Sequence, residues 1–348
     1  MLRTMDGATL AHYLRPRSGE QRLGQTLQLP ISAPIDQQLR HAQQHGARYV
    51  LLGVPEDLGP RANLGRGGAE RGWPAFLQHF LNLPATPDCD GSDLLLWGEV
   101  ALADLRQQAA PLDPAKPKQL DQLRELVTQL DRRLSPLIAA IVQAGLEPIV
   151  IGGGHNNALP ILQGCSQALG QPMAAVNLDP HCDFRACEGR HSGNPFRYAW
   201  QQGALSHYQI LGLHEQRNNA DALAELKQSG IFWYDFQQIW LHREMSLNAA
   251  LQLIRSRLPT AQPVGLELDL DAIESAPSSA QSIIGVPVRD ACHALYRLAQ
   301  HHAVTYLHLA EAAPGCHPAG LSQGEREIGQ LLSELVLCYR DGRQHPCH

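Results

Sequence analysis

The stretch Ala174-Ala175-Val176-Asn177-Leu178-Asp179-Pro180-His181-Cys182-Asp183 decides how this chain is read. Its first half is apolar almost throughout, which marks a strand buried on both faces. Its second half places three metal-binding side chain types at every other position directly after that strand. In an extended backbone residues i, i+2 and i+4 point to one side, so Asp179, His181 and Asp183 are expected to face a common point. Open α/β sheets gather ligands beyond the carboxyl ends of their strands, so the segment predicts both a sheet and a site.

The pattern recurs along the chain. Val264–Leu268 is followed by Asp269-Leu270-Asp271, Pro148–Ile151 by Gly152-Gly153-Gly154-His155, and Val304–Leu309 by Glu311. Further strands are expected at Tyr49–Gly53, Gln209–Leu213 and Ile231–Tyr234. Between them lie amphipathic helical patterns at about 156–170, 219–229, 246–258, 289–301 and 322–340. The clearest has Leu120, Leu123, Val127, Leu130, Leu134, Leu137, Ile138 and Ile141 on one face, with a kink expected at Pro136 and a stop at Gly145. Strands apolar on both faces imply a mainly parallel sheet in a three-layer α/β/α fold. Residues 1–45 read as an N-terminal extension, residues 46–348 as a single catalytic domain, and the Pro-rich, charged segment 84–118 as a long surface excursion.

At 348 residues and 44% hydrophobic content, the chain can build one large core. Its 28 basic and 34 acidic residues, net −6 and without a basic cluster, exclude an electrostatic footprint for nucleic acid or anionic membrane. A small-molecule partner is expected. No run approaches the ~20 apolar residues of a membrane span, and Met1–Asp6 lacks a secretory apolar region. A cytoplasmic protein is therefore expected. The eight cysteines show no CxxC spacing, in keeping with reduced thiols. Of the 17 histidines, only His155 and His181 sit in suggestive contexts, and the terminal His345 and His348 read as solvated surface.

Asp179, Asp183, Asp269, Asp271 and Glu311 with His155 and His181 would be costly to bury without compensating cations. An oxygen-rich set with a minority of imidazole suits Mn²⁺, Fe²⁺ or Mg²⁺, and Mn²⁺ is the expected metal. Four aspartates balance the charge of two divalent ions, a composition in which the ions can acidify a water without repelling it once ionised.

These segments, in this order, resemble the ureohydrolase family of arginases, agmatinases and formimidoylglutamases. The resemblance runs from about residue 48 to 312 and includes Gly53-Val54-Pro55-Glu56-Asp57, Arg61 and Gly65-Arg66-Gly67-Gly68-Ala69. It implies an arginase-like fold with two Mn²⁺ per subunit. One ion would be held by His155, Asp179, Asp183 and Asp269, the other by His181, Asp179, Asp269 and Asp271. Glu311 would pair with the substrate's cationic nitrogens, Asp183 would shuttle a proton to the leaving amine, and homo-oligomers are expected. Asp183-Phe184-Arg185 with Ser192-Gly193-Asn194-Pro195-Phe196-Arg197 and the Gly-Gly-Gly-His element resembles formimidoylglutamases most, because Phe196 stands where arginases carry histidine. The resemblance then implies hydrolysis of N-formimidoyl-L-glutamate to L-glutamate and formamide. Arg185 would meet a substrate carboxylate, with Ser192 and Asn194 as hydrogen-bonding helpers. Glu267, Glu274-Ser275, Pro180 and Cys182 depart from the family pattern, and Glu267 is expected to favour a smaller or more cationic substrate. Alternatives are a guanidino-compound hydrolase releasing urea and a catalytically silent metal-binding relative.

Overall fold

The computed structural model describes residues 1–346, so Cys347 and His348 lie outside the described residues. Among the described residues nine strands form one sheet: β1 (Leu2–Thr4), β2 (Tyr49–Gly53), β3 (Leu94–Val100), β4 (Glu147–Ile151), β5 (Met173–Leu178), β6 (Leu205–Leu213), β7 (Phe232–Asp235), β8 (Val264–Asp269) and β9 (Val304–Ala310). Their order is β1-β3-β2-β4-β9-β8-β5-β6-β7. Every pairing is parallel except β1 with β3.

Alternation along each strand divides its side chains between two cores. In β2, Tyr49 and Leu51 enter one core and Val50 and Leu52 the other; in β3, Leu94 and Leu96 part from Leu95 and Trp97 in the same way. The first core is closed by the helices Gly72–Phe80, Leu247–Arg257, Val288–Ala299 and Leu321–Gln344, through residues such as Phe76, Ile254, Leu295 and Leu332. The second is closed by Ile35–Gln44, Pro117–Gln143, Ala158–Leu169 and Ala220–Gln228, through Leu39, Leu130, Ile161 and Leu226. The architecture is the three-layer α/β/α sandwich that both-face burial predicts.

Two sequence expectations change. Segment 84–118 is no surface excursion, because Leu94–Trp97 is fully buried in β3, flanked on one side by polar residues and on the other by the helix Ala103–Ala109. The stop expected at Gly145 is met: the helix Pro117–Gln143, which contains Pro136, ends just before that glycine, which takes φ 75°. Residues 1–45 contribute β1 to the sheet, and Met5, Leu10, Leu23 and Leu27 to the first core. The β1 backbone lies so close to β3 that a Cβ on Gly98 would fall 2.2 Å from the Arg3 carbonyl oxygen.

The topology positions the site. After β4 the chain crosses to β5, leaving a gap in the sheet that β8 and β9 fill only after β6 and β7 are laid down outward. The carboxyl ends of β4, β9, β8 and β5 therefore stand side by side at the middle of the sheet, where the strand order switches. The sequence expected three adjacent donor strands. Instead β9 separates β4 from β8, and it is the strand that delivers Glu311.

Candidate metal centre

His155 is delivered by a sharp turn after β4. Gly152 and Gly153 have φ of 86° and 75°, a left-handed conformation that glycine adopts without strain. A Cβ on Gly153 would also lie 2.3 Å from Asn157 Nδ2 and 2.7 Å from Glu56 Oε1. Glu56, which the sequence reading did not single out as a site residue, organises this turn. Its buried carboxylate accepts hydrogen bonds from Gly154 N (2.7 Å), Asn157 Nδ2 (2.8 Å) and Leu58 N (2.6 Å). Burial pushes its pKa up to about 7 even though those donors pull the other way.

Beyond β5 and β8 the same device occurs twice. Asp179 Oδ1 accepts from His181 N at 2.7 Å, and Asp269 Oδ1 accepts from Asp271 N at 2.8 Å. Each aspartate thus folds the chain into an Asx turn that brings residue i+2 to its own side. The extended alternation expected from the sequence is not what aligns these ligands: β5 stops at Leu178, and Asp183 sits at φ 45°. Because Leu178 pairs with Leu268, Asp179 and Asp269 emerge from neighbouring strands at the same level.

The six side chains converge. His155 Nδ1 lies 2.9 Å from Asp183 Oδ2, 3.1 Å from Asp179 Oδ2 and 3.2 Å from Asp269 Oδ2. His181 Nδ1 lies 3.2 Å from Asp271 Oδ2 and 3.5 Å from Asp179 Oδ1. Two groups able to hold a cation result, His155–Asp179–Asp183–Asp269 and Asp179–His181–Asp271, with Asp179 common to both. Asp269 joins only the first of them.

The electrostatics of this cluster are those of an anionic cage. Burial and the charge of Asp179 push Asp183 up to about 6, and burial with Asp271 and Asp179 pushes Asp269 well up. Burial opposes charge on the imidazoles too, yet the surrounding carboxylates raise His155 and His181 well above the ordinary range. Against the upward push of burial, the two histidines hold Asp179 down to about 2. His155 Nδ1 and Asp271 Oδ1 are buried without a hydrogen-bond partner among the described residues. Oxygen-rich donors that crowd one another, with polar atoms left over, fit divalent cations.

A cavity of about 470 Å³ opens onto the centre, with His181, Asp183, Asp269, Asp271 and Glu311 at its floor. Glu311, at φ 63°, accepts from His155 N (2.9 Å) and from Ser279 Oγ (3.0 Å), and burial pushes its carboxyl up to about 8. Arg185 and Ser192 are on the wall, joined through Asn63: Arg185 Nη1 donates to Asn63 Oδ1 at 2.8 Å.

Asn194, expected at the substrate, is instead fully buried within its loop. Its Oδ1 accepts from Arg190 Nη1 and His191 N, and its Nδ2 donates to Ala186 O and Gly189 O. Phe196 stacks on Tyr208 and meets the His155 ring edge-on at 5.3 Å. Glu267 is not on the cavity wall but behind His155, so it does not bear on substrate size as expected.

The structure adds a second rim arginine that the sequence reading missed. Arg217, just after β6, lines the cavity and is fixed by hydrogen bonds to Ser282 Oγ and Ile284 O. Its only sequence signal is position, beyond the end of the strand next to β5.

The arginase family model matches residues 47–336. Among curated proteins, a formimidoylglutamase from Ralstonia nicotianae is 30% identical over 253 residues, covering 69% of this chain and 70% of its own length. One from Aromatoleum aromaticum is 29% identical over 314 residues, covering 86% and 84%. Among solved structures, a formimidoylglutamase from Bacillus subtilis superposes with TM-score 0.71 at 15% identity, covering 99% of this chain and 100% of that one. A Trypanosoma cruzi formiminoglutamase solved with Mn²⁺ gives TM-score 0.67 at 19% identity, covering 92% and 98%.

Proposed function

Because this chain belongs to the arginase family, we propose that it is a two-manganese hydrolase of linear amidines that converts N-formimidoyl-L-glutamate and water into L-glutamate and formamide. The observation that carries the substrate is the charge layout of one cavity, with Glu311 at its acidic floor and two guanidiniums, Arg185 and Arg217, on its wall. Formimidoylglutamate carries one amidinium and two carboxylates, so its charges have partners in that layout. Arginine has a single carboxylate and an additional ammonium, and agmatine has no carboxylate at all. The relatives named formimidoylglutamase support the same choice.

In this proposal His155, Asp179, Asp183 and Asp269 would hold one ion, and His181, Asp179 and Asp271 would hold the other. Bound there, the two cations would acidify a water and polarise the amidine carbon. Glu311 orients the amidinium, its carboxylate already fixed by His155 N and Ser279 Oγ. Asp183, on the cavity floor, takes a proton and hands it to the departing amine. Arg185 and Arg217 hold the carboxylates, with Ser192 beside Arg185.

The wider setting belongs to the same proposal: a cytoplasmic homo-oligomer with a small-molecule substrate. The seven described cysteines are free, in keeping with a reducing compartment. Among the described residues no helix is long and apolar enough to cross a membrane. Exposed Leu241, Ile283 and Ile284 supply apolar surface for assembly.

Purified, Mn²⁺-loaded protein should release formamide and glutamate from N-formimidoyl-L-glutamate. Urea released from arginine, agmatine or guanidine, with no formamide, would reject the substrate. Retention of metal without turnover of any of these compounds would reject catalysis.

A further inference from the structure

Glu267 lies behind the centre, in the layer of buried side chains beneath it. It is the register partner of His308 across β8 and β9, and it is fully buried. A carboxylate in that position must be compensated by donors. Tyr306 OH donates to Glu267 Oε1 at 2.7 Å, and His308 Nδ1 approaches Oε2 at 2.6 Å. The same Oε2 faces His155 Nε2 at 3.4 Å.

His155 presents Nδ1 to three aspartates. A cation bound on that side needs the Nδ1 lone pair, which puts the ring proton on Nε2. Nε2 is buried and has no hydrogen-bond partner among the described residues, and the carboxylate oxygen facing it is that of Glu267. Phe196, edge-on at 5.3 Å, packs against the ring on another side.

Resting on the metal assignment of His155 made above, we propose that Glu267 is a positioning residue that accepts the Nε2 proton of His155, fixing the tautomer and ring orientation in which Nδ1 binds the cation. The three groups His155, Glu267 and His308 also lie close enough to suggest an ion of their own. Their spacing argues otherwise. At metal–ligand bonds of about 2.1 Å, neighbouring donors sit about 3.0 Å apart in an octahedron and about 3.4 Å apart in a tetrahedron. The 2.6 Å between Glu267 Oε2 and His308 Nδ1 is the distance of a charge-assisted hydrogen bond.

The test begins with the wild-type protein. His-selective ¹⁵N NMR of the Zn²⁺-substituted form should show His155 protonated at Nε2, and an Nδ1-protonated ring overturns the proposal whether or not any variant folds. Calorimetric titration with Mn²⁺ should then find Glu267→Gln binding at the His155 site roughly 10–100-fold more weakly, with KM unchanged for the ion-saturated enzyme because residue 267 is off the cavity. Tyr306→Phe, which removes another partner of the same carboxylate without touching His155, should lower thermal stability but leave Mn²⁺ affinity unchanged. Equal Mn²⁺ affinity in the wild type and Glu267→Gln overturns the proposal alone. A wild type that takes up no Mn²⁺ overturns the metal reading itself, and the proposal with it.

Discussion

The main-chain N–H of His155 donates to Oε1 of Glu311 at 2.9 Å, tying the turn after β4 to the end of β9. The reciprocal bond, Glu311 N to Gly153 O, has the same length. One carboxylate therefore serves two ends, bracing the proposed metal ligand with one oxygen and standing at the cavity floor. Glu311→Gln keeps an acceptor for His155 N but removes the carboxyl group that ionises against a bound amidinium. Its kcat/KM should fall roughly 10–100-fold, the worth of a hydrogen bond to a charged group, while Mn²⁺ content stays at the wild-type level. Steady-state kinetics alongside metal analysis checks this, and unchanged kcat/KM would remove Glu311 from the substrate site.

A second relationship holds the outer wall. Arg190 Nε lies 2.8 Å from Asp131 Oδ2, and Arg190 Nη2 donates to Asn156 O at 2.8 Å, both side chains being buried. This pair ties the helix Pro117–Gln143 to the loop carrying Ser192 and to the residue after His155. Asp131→Asn leaves the guanidinium charge buried without its counter-ion, which should destabilise the protein by about 3–5 kcal/mol. Urea unfolding measures it, and a loss under 1 kcal/mol would mean that water reaches Arg190 in the variant.

Much of this was legible in the sequence because the signals are local. Strands β2, β4, β5, β8 and β9 are short, largely apolar runs bounded by turn residues, and β6 and β7 show the same signal over Gln209–Leu213 and Ile231–Tyr234. Strand β1 has only three residues, Leu2–Thr4, too few to show a period, and β3 was hidden because Leu94–Trp97 sits in a segment otherwise rich in proline and charge. The six clustered side chains were legible because each follows a strand end. Residues recruited from elsewhere were not. Glu56 reads as an acid after a proline, Arg217 as a loop arginine, and Asp131 as the polar side of a helix. Only tertiary packing brings them to the turn, the rim and the loop. Asn194 shows the opposite failure: its motif was visible, but its hydrogen bonds are spent within its own loop.

That loop also carries a pH dependence. His191 is fully buried, and burial, with the charge of Arg185, holds its pKa down to about 3. Its ring accepts from Gly193 N at 3.1 Å through Nδ1, while Nε2 lies 2.9 Å from Asn194 Nδ2 and 3.4 Å from Glu188 Oε1. The unfolded chain protonates this histidine near pH 6.5, whereas the folded protein keeps it neutral until about pH 3. Its contribution to stability is whole above pH 6.5 and is lost as the pH falls through that window, at up to about 1.4 kcal/mol per pH unit. Denaturant unfolding at pH 7 and pH 5 should therefore show a smaller acid loss in His191→Gln than in the wild type. Identical losses would place the acid sensitivity elsewhere.

The two rim arginines can be separated from the centre below them. Arg217 is held from outside the metal cluster, by Ser282 and Ile284, so Arg217→Gln should leave Mn²⁺ binding and the fold intact. Losing a charge-assisted contact to one substrate carboxylate should raise KM for formimidoylglutamate roughly 10–100-fold with little change in kcat, the signature of binding that is equal in ground and transition states. The sharper comparison uses an analogue in which one carboxylate is replaced by a neutral amide. If Arg217 meets that carboxylate, the wild type should bind the analogue as poorly as the variant binds the natural substrate, and the substitution should cost little further. A full additional loss on the analogue would mean that Arg217 acts on the cavity in some way other than by meeting that carboxylate.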